Sequence, residues 1–449
     1  MSFSPLDSEL FGPLFTTAAM RAAFADRALI GSMLAVETAL ARSESRLGLA
    51  PDALGPAIEA IRPDDLDIAA LGRRAGIAGV PTIPFVQAVQ ARLTPELERS
   101  FHKGATTQDI IDTALVLRMR EAFRLIEADL DAIILGLSGL ADRHRATACV
   151  GRSYGQHAAP VSFGYKVAVW LTGIADVADH LPALRRRVLV ASLAGPVGTL
   201  ASLGESGGAV SARLAQLLSL AEPQLPWHAQ RDGLTSLVQG LATLTGTLAK
   251  LGTDMALLMQ AETGEVTEGG DKRGGSSTMP HKRNPVACAA LRAIHTRMPG
   301  LAATMLLAMP QEQERGLGMW QAEWEIIPEA FRLTSASIAY GIDLTENLEV
   351  RSDRMQANLH ATLGLPLAES ISAALVPKIG RTKSHELLRK ASAKARQQSR
   401  QLSEVLNEMP EVTAHLTASD IERLFDPRNY LGSTRRFIAR VLGDDDAHD

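Results

Sequence analysis

Ile111–Leu140 reads IDTALVLRMREAFRLIEADLDAIILGLSGL, and its spacing decides the fold. The apolar positions Ile111, Leu115, Met119, Ala122, Ile126, Leu130, Ile133, Leu137 and Leu140 advance 29 residues in eight steps. Each step is about 3.6 residues, the period of an α-helix with one apolar stripe. A second series, Leu237, Leu241, Leu244, Leu248, Leu251, Met255 and Leu258, covers 21 residues in six steps, with no proline between Pro226 and Pro280. A sustained period of ~3.5 predicts a long helix packed at a shallow angle in a bundle. A helix of ~30 residues runs ~45 Å, more than a small monomeric domain needs, so the pattern points to a bundle shared between subunits. Further helices are expected over Ala18–Leu47, Val161–Arg187, Glu205–Leu220, Val286–Leu307 and Ala368–Met409. No run alternates polar and apolar β-branched residues, so the expected fold class is all-α.

Composition agrees. Hydrophobic residues make up 46% of the 449 but aromatics only 4%, which leaves an aliphatic core that suits helices better than strands. Forty-six Lys and Arg against 50 Asp and Glu give a net charge of −4, without the basic excess of a nucleic-acid binder. Met1–Gly12 carries Asp7 and Glu9 and lacks the basic-then-apolar order of a secretory signal, so a cytoplasmic location is expected. Val188–Gly204 is uncharged for 17 residues but is broken by Gly195, Pro196 and Gly198. A membrane span needs ~20 apolar residues, and no membrane insertion is expected. Cys149 and Cys288, the two cysteines, read as small buried hydrophobes. The polar stretch His102–Asp109 and the charged stretch after Glu349 divide the chain into an N-terminal helical domain (1–112), a central long-helix bundle (113–354) and a C-terminal helical domain (355–449). The acidic tail Gly443–Asp449 is expected to fray.

The chemistry concentrates in Glu268–Pro285, EGGDKRGGSSTMPHKRNP. Gly269, Gly270, Gly274 and Gly275 leave backbone amides approachable, while Lys272, Arg273, Lys282 and Arg283 add positive charge. Such a loop suits closure over an anionic substrate. Ser276 and Ser277 sit at its centre, and a serine works as a proton-transfer base only where N–H groups and cations stabilise its alkoxide. Thr106, Thr107 and Gln108 lie just before the first long helix, where hydroxyls and helix N-terminal amides cap the helix or hold a carboxylate. Glu262, Glu265 and Glu268 are spaced i, i+3 without a histidine motif and read as a solvated or inter-subunit acidic face. The basic run from Arg381 to Arg396 reads as the exposed face of a C-terminal helix.

The string GSSxMPxKxNP, present as Gly275, Ser276, Ser277, Met279, Pro280, Lys282, Asn284 and Pro285, resembles the signature of the fumarase/aspartase superfamily. FHKGATTQDIIDTA (Phe101–Ala114) and GRSYGQHAAPVSFG (Gly151–Gly164) resemble its two other motif regions. The resemblance implies three helical domains, a homotetramer with a core of 20 helices, and active sites assembled from three subunits. Within the superfamily the chain is most similar to the 3-carboxy-cis,cis-muconate cycloisomerases, in PWHAQRD (Pro226–Asp232), AMPQEQERGLGMWQAEW (Ala308–Trp324) and LFDPRNYLG (Leu424–Gly432) besides the motifs above. That family needs no cofactor and acts on a small polycarboxylate. Two other readings stand beside it: an amine lyase of the adenylosuccinate type, and a non-catalytic helical oligomer resembling lens crystallins built on this fold.

By the resemblance, Ser276, Lys282, His157 and His102 are the catalytic candidates. Thr106, Thr107, Gln108, Arg152, Gln156, Gln230, Ser277, Asn284 and Arg315 are the substrate-binding candidates, with Arg152 open also to a structural ion pair. No metal ligands are expected. Adenylosuccinate lyases carry a serine pair and an arginine after the position of Arg315, where this chain has Trp320, Gln321 and Trp324. Amine lyases place a histidine two residues before Gln156 to protonate the leaving group, and this chain has Tyr154 there. An expelled amide anion is far too basic to leave unprotonated, whereas a carboxylate, with a pKa near ~4, leaves without an acid.

Overall fold

The computed structural model describes residues 4–270 and 274–444. Lys272 and Arg273 of the glycine-rich loop, and 445–449 of the acidic tail, lie outside the described residues. Among those described, twenty α-helices accompany two two-stranded sheets. Five helices have 23 residues or more: α1 Thr107–Arg143, α2 Phe163–Val188, α3 Asp232–Leu258, α4 Val286–Ala308 and α5 Met319–Asn347. All nine stripe positions of α1 and all seven of α3 are buried. Full burial of one such aliphatic side chain is worth ~1.5–3 kcal/mol, so these stripes hold the long helices in place.

The chain forms two compact units, and the boundaries between them fall within these five helices. The first comprises Met1–Leu130, Asp176–Gly246 and Ala290–Ala339. In it the helix Asp26–Arg46 packs on Leu54–Glu59 and on Gly207–Leu218. Met33, Leu40, Phe85, Val89, Val210 and Leu214 are among the residues of its aliphatic core. The second unit comprises Asp131–Ala175, Thr247–Ala289 and Tyr340–Asp449. It contains an antiparallel hairpin, β1 Ala148–Ser153 with β2 Gln156–Ser162, a short pair, β3 Val266–Glu268 with β4 Leu348–Val350, and a C-terminal core around Ile371, Leu375, Leu402 and Leu406.

Four expected helices differ in extent, each for a local reason. Ala18–Leu47 is interrupted at Ala25, whose backbone is extended, giving Ala18–Ala23 and Asp26–Arg46. Val161–Arg187 begins at Phe163, because Val161 and Ser162 belong to β2. Glu205–Leu220 narrows to Gly207–Leu218, ended by a left-handed Ser219. Ala368–Met409 is three helices, Ala368–Ile379, Arg381–Gln398 and Leu402–Asn407, broken by Gly380 and by Ser399, both at positive φ. Among the described residues α2 is the one unbroken helix long and apolar enough to cross a membrane, with an 18-residue window of mean hydropathy 1.2. Its Trp170, Leu171 and Ile174 are buried within the protein.

Candidate active site

The motif His102–Asp109 folds into a turn and the start of α1, in the first unit. Asp109 takes the place that a T-x-x-D capping box prescribes, its Oδ2 accepting from the Thr106 backbone N–H at 2.9 Å. It does more than cap. The same buried carboxylate accepts from the backbone N–H groups of Ala194 (2.9 Å) and Gly195 (3.0 Å) and lies 2.7 Å from Nε2 of the buried His228. One side chain therefore fixes the motif segment, the 192–195 loop and the Pro226–Asp232 segment together. Gln230 is exposed in that last segment and pairs with Pro310 at the start of the loop that carries Arg315.

One turn along, Asp112 enters a buried ion cluster. Arg231, with a side chain 0% exposed, donates to Asp112 at 2.8 Å and to Glu323 at 3.0 Å, and its guanidinium carbon lies 4.8 Å from the ring centre of Trp227. Trp320 Nε1 donates to Asp112 at 2.9 Å and Gln311 to Glu323 at 2.9 Å. Burial works against the Arg231 cation, but the two carboxylates outweigh it and hold its pKa above the ordinary value. Burial likewise keeps Glu323 above the usual carboxylate range, against the pull of Arg231. The cluster reaches the candidate substrate contacts through Gln108. Its amide nitrogen donates to Asp112 (3.2 Å) and to the His228 carbonyl (2.9 Å), which leaves its oxygen to accept from Arg315 Nε at 3.3 Å. Arg315 also donates to the Thr106 hydroxyl at 3.0 Å. Thr106, Gln108 and Arg315 thus form one array on a buried ionic base, with Thr107 as the first residue of α1.

His102 is held at φ 58°, a left-handed conformation that side chains other than glycine seldom adopt and that clusters at functional sites. Its Nδ1 is 2.6 Å from the buried Glu37 carboxylate, which leaves Nε2 as the outward nitrogen. Burial opposes the charged imidazole, but Glu37, through its charge and hydrogen bond, holds His102 above the ordinary histidine range. Two turns further along the same helix, burial pushes Glu44 up to about 8.

The second unit holds the other two motif regions. Ser153 pairs with Gln156, so Tyr154 and Gly155 make a two-residue hairpin turn at φ 50° and 74°. A turn with both central residues at positive φ follows the twist of its strands and favours glycine; Gly155 meets that demand and Tyr154 does not. Tyr154 is fully exposed at this tip, with Gln156 and His157 exposed beside it. His157 Nδ1 is 3.5 Å from the Thr362 hydroxyl, and burial followed by the charge of Arg152 places its pKa below the ordinary value. Arg152 spends its guanidinium on Glu265, at 2.6 and 3.1 Å, and Asn358 donates to the same carboxylate at 2.8 Å.

The reading of Glu262, Glu265 and Glu268 as a solvated or inter-subunit acidic face is therefore corrected for Glu265 and Glu268, while Glu262 is exposed. The helix ends at Leu258, and Glu265 and Glu268 are buried. Glu268 accepts from the backbone N–H groups of Ala287 (3.1 Å) and Cys288 (3.0 Å) at the start of α4, so a residue just before the signature loop is bonded to the helix just after it. Asn284 N–H donates to the Gly274 carbonyl at 2.7 Å, and Gly275 pairs with Arg283, which closes the loop at its base. A β-carbon on Gly274 would lie 2.2 Å from the Asn284 carbonyl oxygen, so only glycine fits there. Within the loop, Ser276 Oγ accepts from Met279 N–H at 3.2 Å; Ser277 and Lys282 are exposed and Asn284 half-buried.

The lyase family profile matches residues 16–300, and the profile described as the adenylosuccinate lyase C-terminus matches residues 364–441. The chain is 45% identical over 442 residues to the 3-carboxy-cis,cis-muconate cycloisomerase of Pseudomonas aeruginosa, covering 97% of this chain and 96% of that one. It is 38% identical over 454 residues to the nitrosuccinate lyase of Streptomyces davaonensis, covering 98% and 96%. The crystal structure of 3-carboxy-cis,cis-muconate lactonizing enzyme from Pseudomonas putida superposes with a TM-score of 0.95 at 43% identity, over 97% of this chain and 99% of that one. The chain belongs to the fumarase/aspartase superfamily.

On this superfamily fold the candidate residues fall into three groups: His102, Thr106, Thr107, Gln108, Gln230 and Arg315 in the first unit; Arg152, Gln156 and His157 at the hairpin; and Ser276, Ser277, Lys282 and Asn284 in the loop. Sequence reasoning missed the groups beneath them: Asp109, Asp112, His228, Arg231 and Glu323 in one unit, Glu265 in the other. Two signals were available. Thr106 and Asp109 spell a capping box, and Asp112 stands one turn before Val116 and two before Met119, on a face where both are fully buried.

Proposed function

We propose that this chain is a cofactor-independent 3-carboxy-cis,cis-muconate cycloisomerase that forms a carboxymuconolactone. The observation that carries the reading is 42–45% identity, over at least 93% of this chain, to cycloisomerases of that name from three bacteria. Tyr154 supports it against an amine lyase, since a carboxylate leaving group needs no acid at that position. Intact Ser276, Lys282 and Asn284 support it against a non-catalytic oligomer.

In the proposed reaction a carboxylate oxygen of the trianion bonds to its own conjugated double bond. The π electrons move onto a neighbouring carboxylate to give an aci-carboxylate, and a proton delivered to carbon completes the lactone. No electrons are gained or lost overall. Lys282 and Asn284 hold the carboxylate that becomes the aci-acid, where fixed cations and donors stabilise charge as it builds. Ser276 transfers the proton, with His102 and His157 as the other catalytic candidates. Arg315, Thr106, Thr107 and Gln108 hold a second carboxylate, with Gln156, Gln230 and Ser277 as further contacts, so that the trianion is kept in its cyclising conformer. Arg152, bonded to Glu265, acts by anchoring the hairpin.

The assembly we propose is a cytoplasmic homotetramer of three-domain chains. Five long helices per chain supply its 20-helix core. Exposed apolar residues on four of them, Leu135, Val169, Leu257, Leu306 and Leu307, are surface that such a core would cover. The test is the ultraviolet absorbance of 3-carboxy-cis,cis-muconate with purified protein and no added cofactor, run beside adenylosuccinate. Loss of the diene band, with adenylosuccinate unchanged, is the expected result, and Ser276→Ala and Lys282→Met each slow it ~100-fold or more. Turnover of adenylosuccinate with the diene band intact would make this an amine lyase.

A further inference from the structure

A cavity of about 660 Å³ in the first unit is lined by none of the candidate catalytic or substrate-binding residues. Phe24, Leu29, Ile111, Leu115 and Pro328 give it apolar walls. Arg118, Trp324 and Arg332 also line it, and each has a buried N–H donor without an acceptor among the described residues: Nε of Arg118, Nε1 of Trp324 and Nε of Arg332. Buried donors without partners are rare, and three around one cavity call for a common acceptor.

The charges around the cavity indicate what that acceptor is. Arg332 gives its terminal nitrogens to Asp7 (2.9 Å) and to the Leu6 carbonyl (2.5 Å), and Arg21 donates to the Asp7 carbonyl at 2.9 Å. Glu329 is taken by Arg297. Asp26 and Glu325, the remaining acids of the lining, are exposed to solvent. Arg118 has no ion-pair partner among the described residues, and burial holds its pKa below the ordinary arginine value. The cavity thus presents the guanidiniums of Arg118 and Arg21, neither ion-paired among the described residues, and an indole N–H against apolar walls, with two solvated carboxylates in the lining to repel any ligand of high negative charge.

We propose that this cavity is a second binding site, for a small aromatic monocarboxylate. The carboxylate accepts from Arg118 and Trp324 while the ring lies against Phe24, Leu29, Ile111 and Leu115. The volume falls within the ~300–1,000 Å³ of ordinary small-molecule sites, and the solvated Asp26 and Glu325, set against Arg118 and Arg21, select a monoanion over the trianion assigned to the active site.

Isothermal titration of the full-length protein with benzoate tests this, with benzamide as the uncharged ligand of the same shape. Saturable binding of one benzoate per chain is expected, at least ten-fold weaker for benzamide and for Arg118→Gln, and unchanged in Arg315→Gln. Arg118→Gln should turn over substrate as the wild type does. Trp324→Phe, which removes only the indole donor, should weaken benzoate several-fold and serves if Arg118→Gln does not fold. The proposal is overturned by the absence of saturable binding, by benzoate binding that survives Arg118→Gln and vanishes in Arg315→Gln, or by a changed sedimentation coefficient in Arg118→Gln without benzoate binding to the wild type. That last result would assign Arg118 to a subunit contact. None of these outcomes depends on which substrate the active site turns over.

Discussion

Arg231 is the largest fully buried side chain among the described residues, and its replacement by methionine roughly keeps that volume and removes the charge. The guanidinium stands between two carboxylates, and all three side chains are 0–1% exposed. Without it, Asp112 and Glu323 keep Trp320, Gln108 and Gln311 as donors but lose their counter-charge. Breaking a buried ion pair by removing one partner costs ~3–5 kcal/mol, and with two carboxylates orphaned the upper end applies where both are ionised. The cost depends on pH in a direction that can be worked out. Glu323 already stands above its ordinary pKa through burial, and loss of the cation raises it further. A carboxyl raised in the folded state gives stability in acid and loses it as pH rises through the folded value. The slope is ~1.4 kcal/mol per pH unit for each proton by which folded and unfolded states differ. The deficit of Arg231→Met relative to wild type should therefore be small near pH 5 and reach ~4–5 kcal/mol by pH 8. Urea unfolding midpoints of both proteins at three pH values across that range measure it. The triple variant that adds Asp112→Asn and Glu323→Gln should regain most of the loss at pH 8. A deficit that is flat with pH, or a triple variant no better than the single one, would refute the assignment of this cost to uncompensated charge.

Tyr154→Gly should stabilise the protein by ~1 kcal/mol, because it relieves a left-handed φ on a side chain that touches nothing; a fall in thermal midpoint would show that the ring is packed in solution. Glu268→Ala removes two hydrogen bonds at the start of α4 and should cost ~1–2 kcal/mol by thermal unfolding, with a loss of turnover larger than that of Glu268→Gln, which keeps an acceptor. Glu44 contributes stability below its ordinary value of 4.5 that is lost as pH rises through about 8, so the wild type should lose stability across that window. Glu44→Gln should flatten this dependence, and a pH profile unchanged in the variant would place the titration elsewhere.

The parts of the fold that were legible are those written in a repeating period. The stripes of α1 and α3 announced long helices because every third or fourth residue carries the same instruction, and all sixteen positions are buried. Helix ends were less legible. Ser219 and Ser399 stop their helices in a left-handed conformation that serine does not advertise, whereas the break at Gly380 falls on a residue suited to it. In the candidate site the loop was readable as a string, since its residues are neighbours in sequence and Gly274 admits no side chain. What held the loop shut was not readable: Glu268 bonds forward 19 and 20 residues, and its spacing from Glu262 and Glu265 suggested a helix face that the chain leaves at Leu258.

The buried charges mark where single-sequence reasoning stops. Arg231 lies 119 residues from Asp112 and 92 from Glu323, and no local pattern links the three. The chain offers 46 Lys and Arg, so an acid on an apolar face says only that it has some partner, not which. The choice is made by the long helices themselves. Asp112 on α1, Arg231 just ahead of α3 and Glu323 in the first turns of α5 meet because the apolar stripes bring those helix ends together. The same meeting fixes Gln108 and, through it, Arg315. The residues that position the candidate substrate contacts are therefore a consequence of the packing that the periodicity did announce, and the ion cluster converts that packing into a fixed direction for one guanidinium.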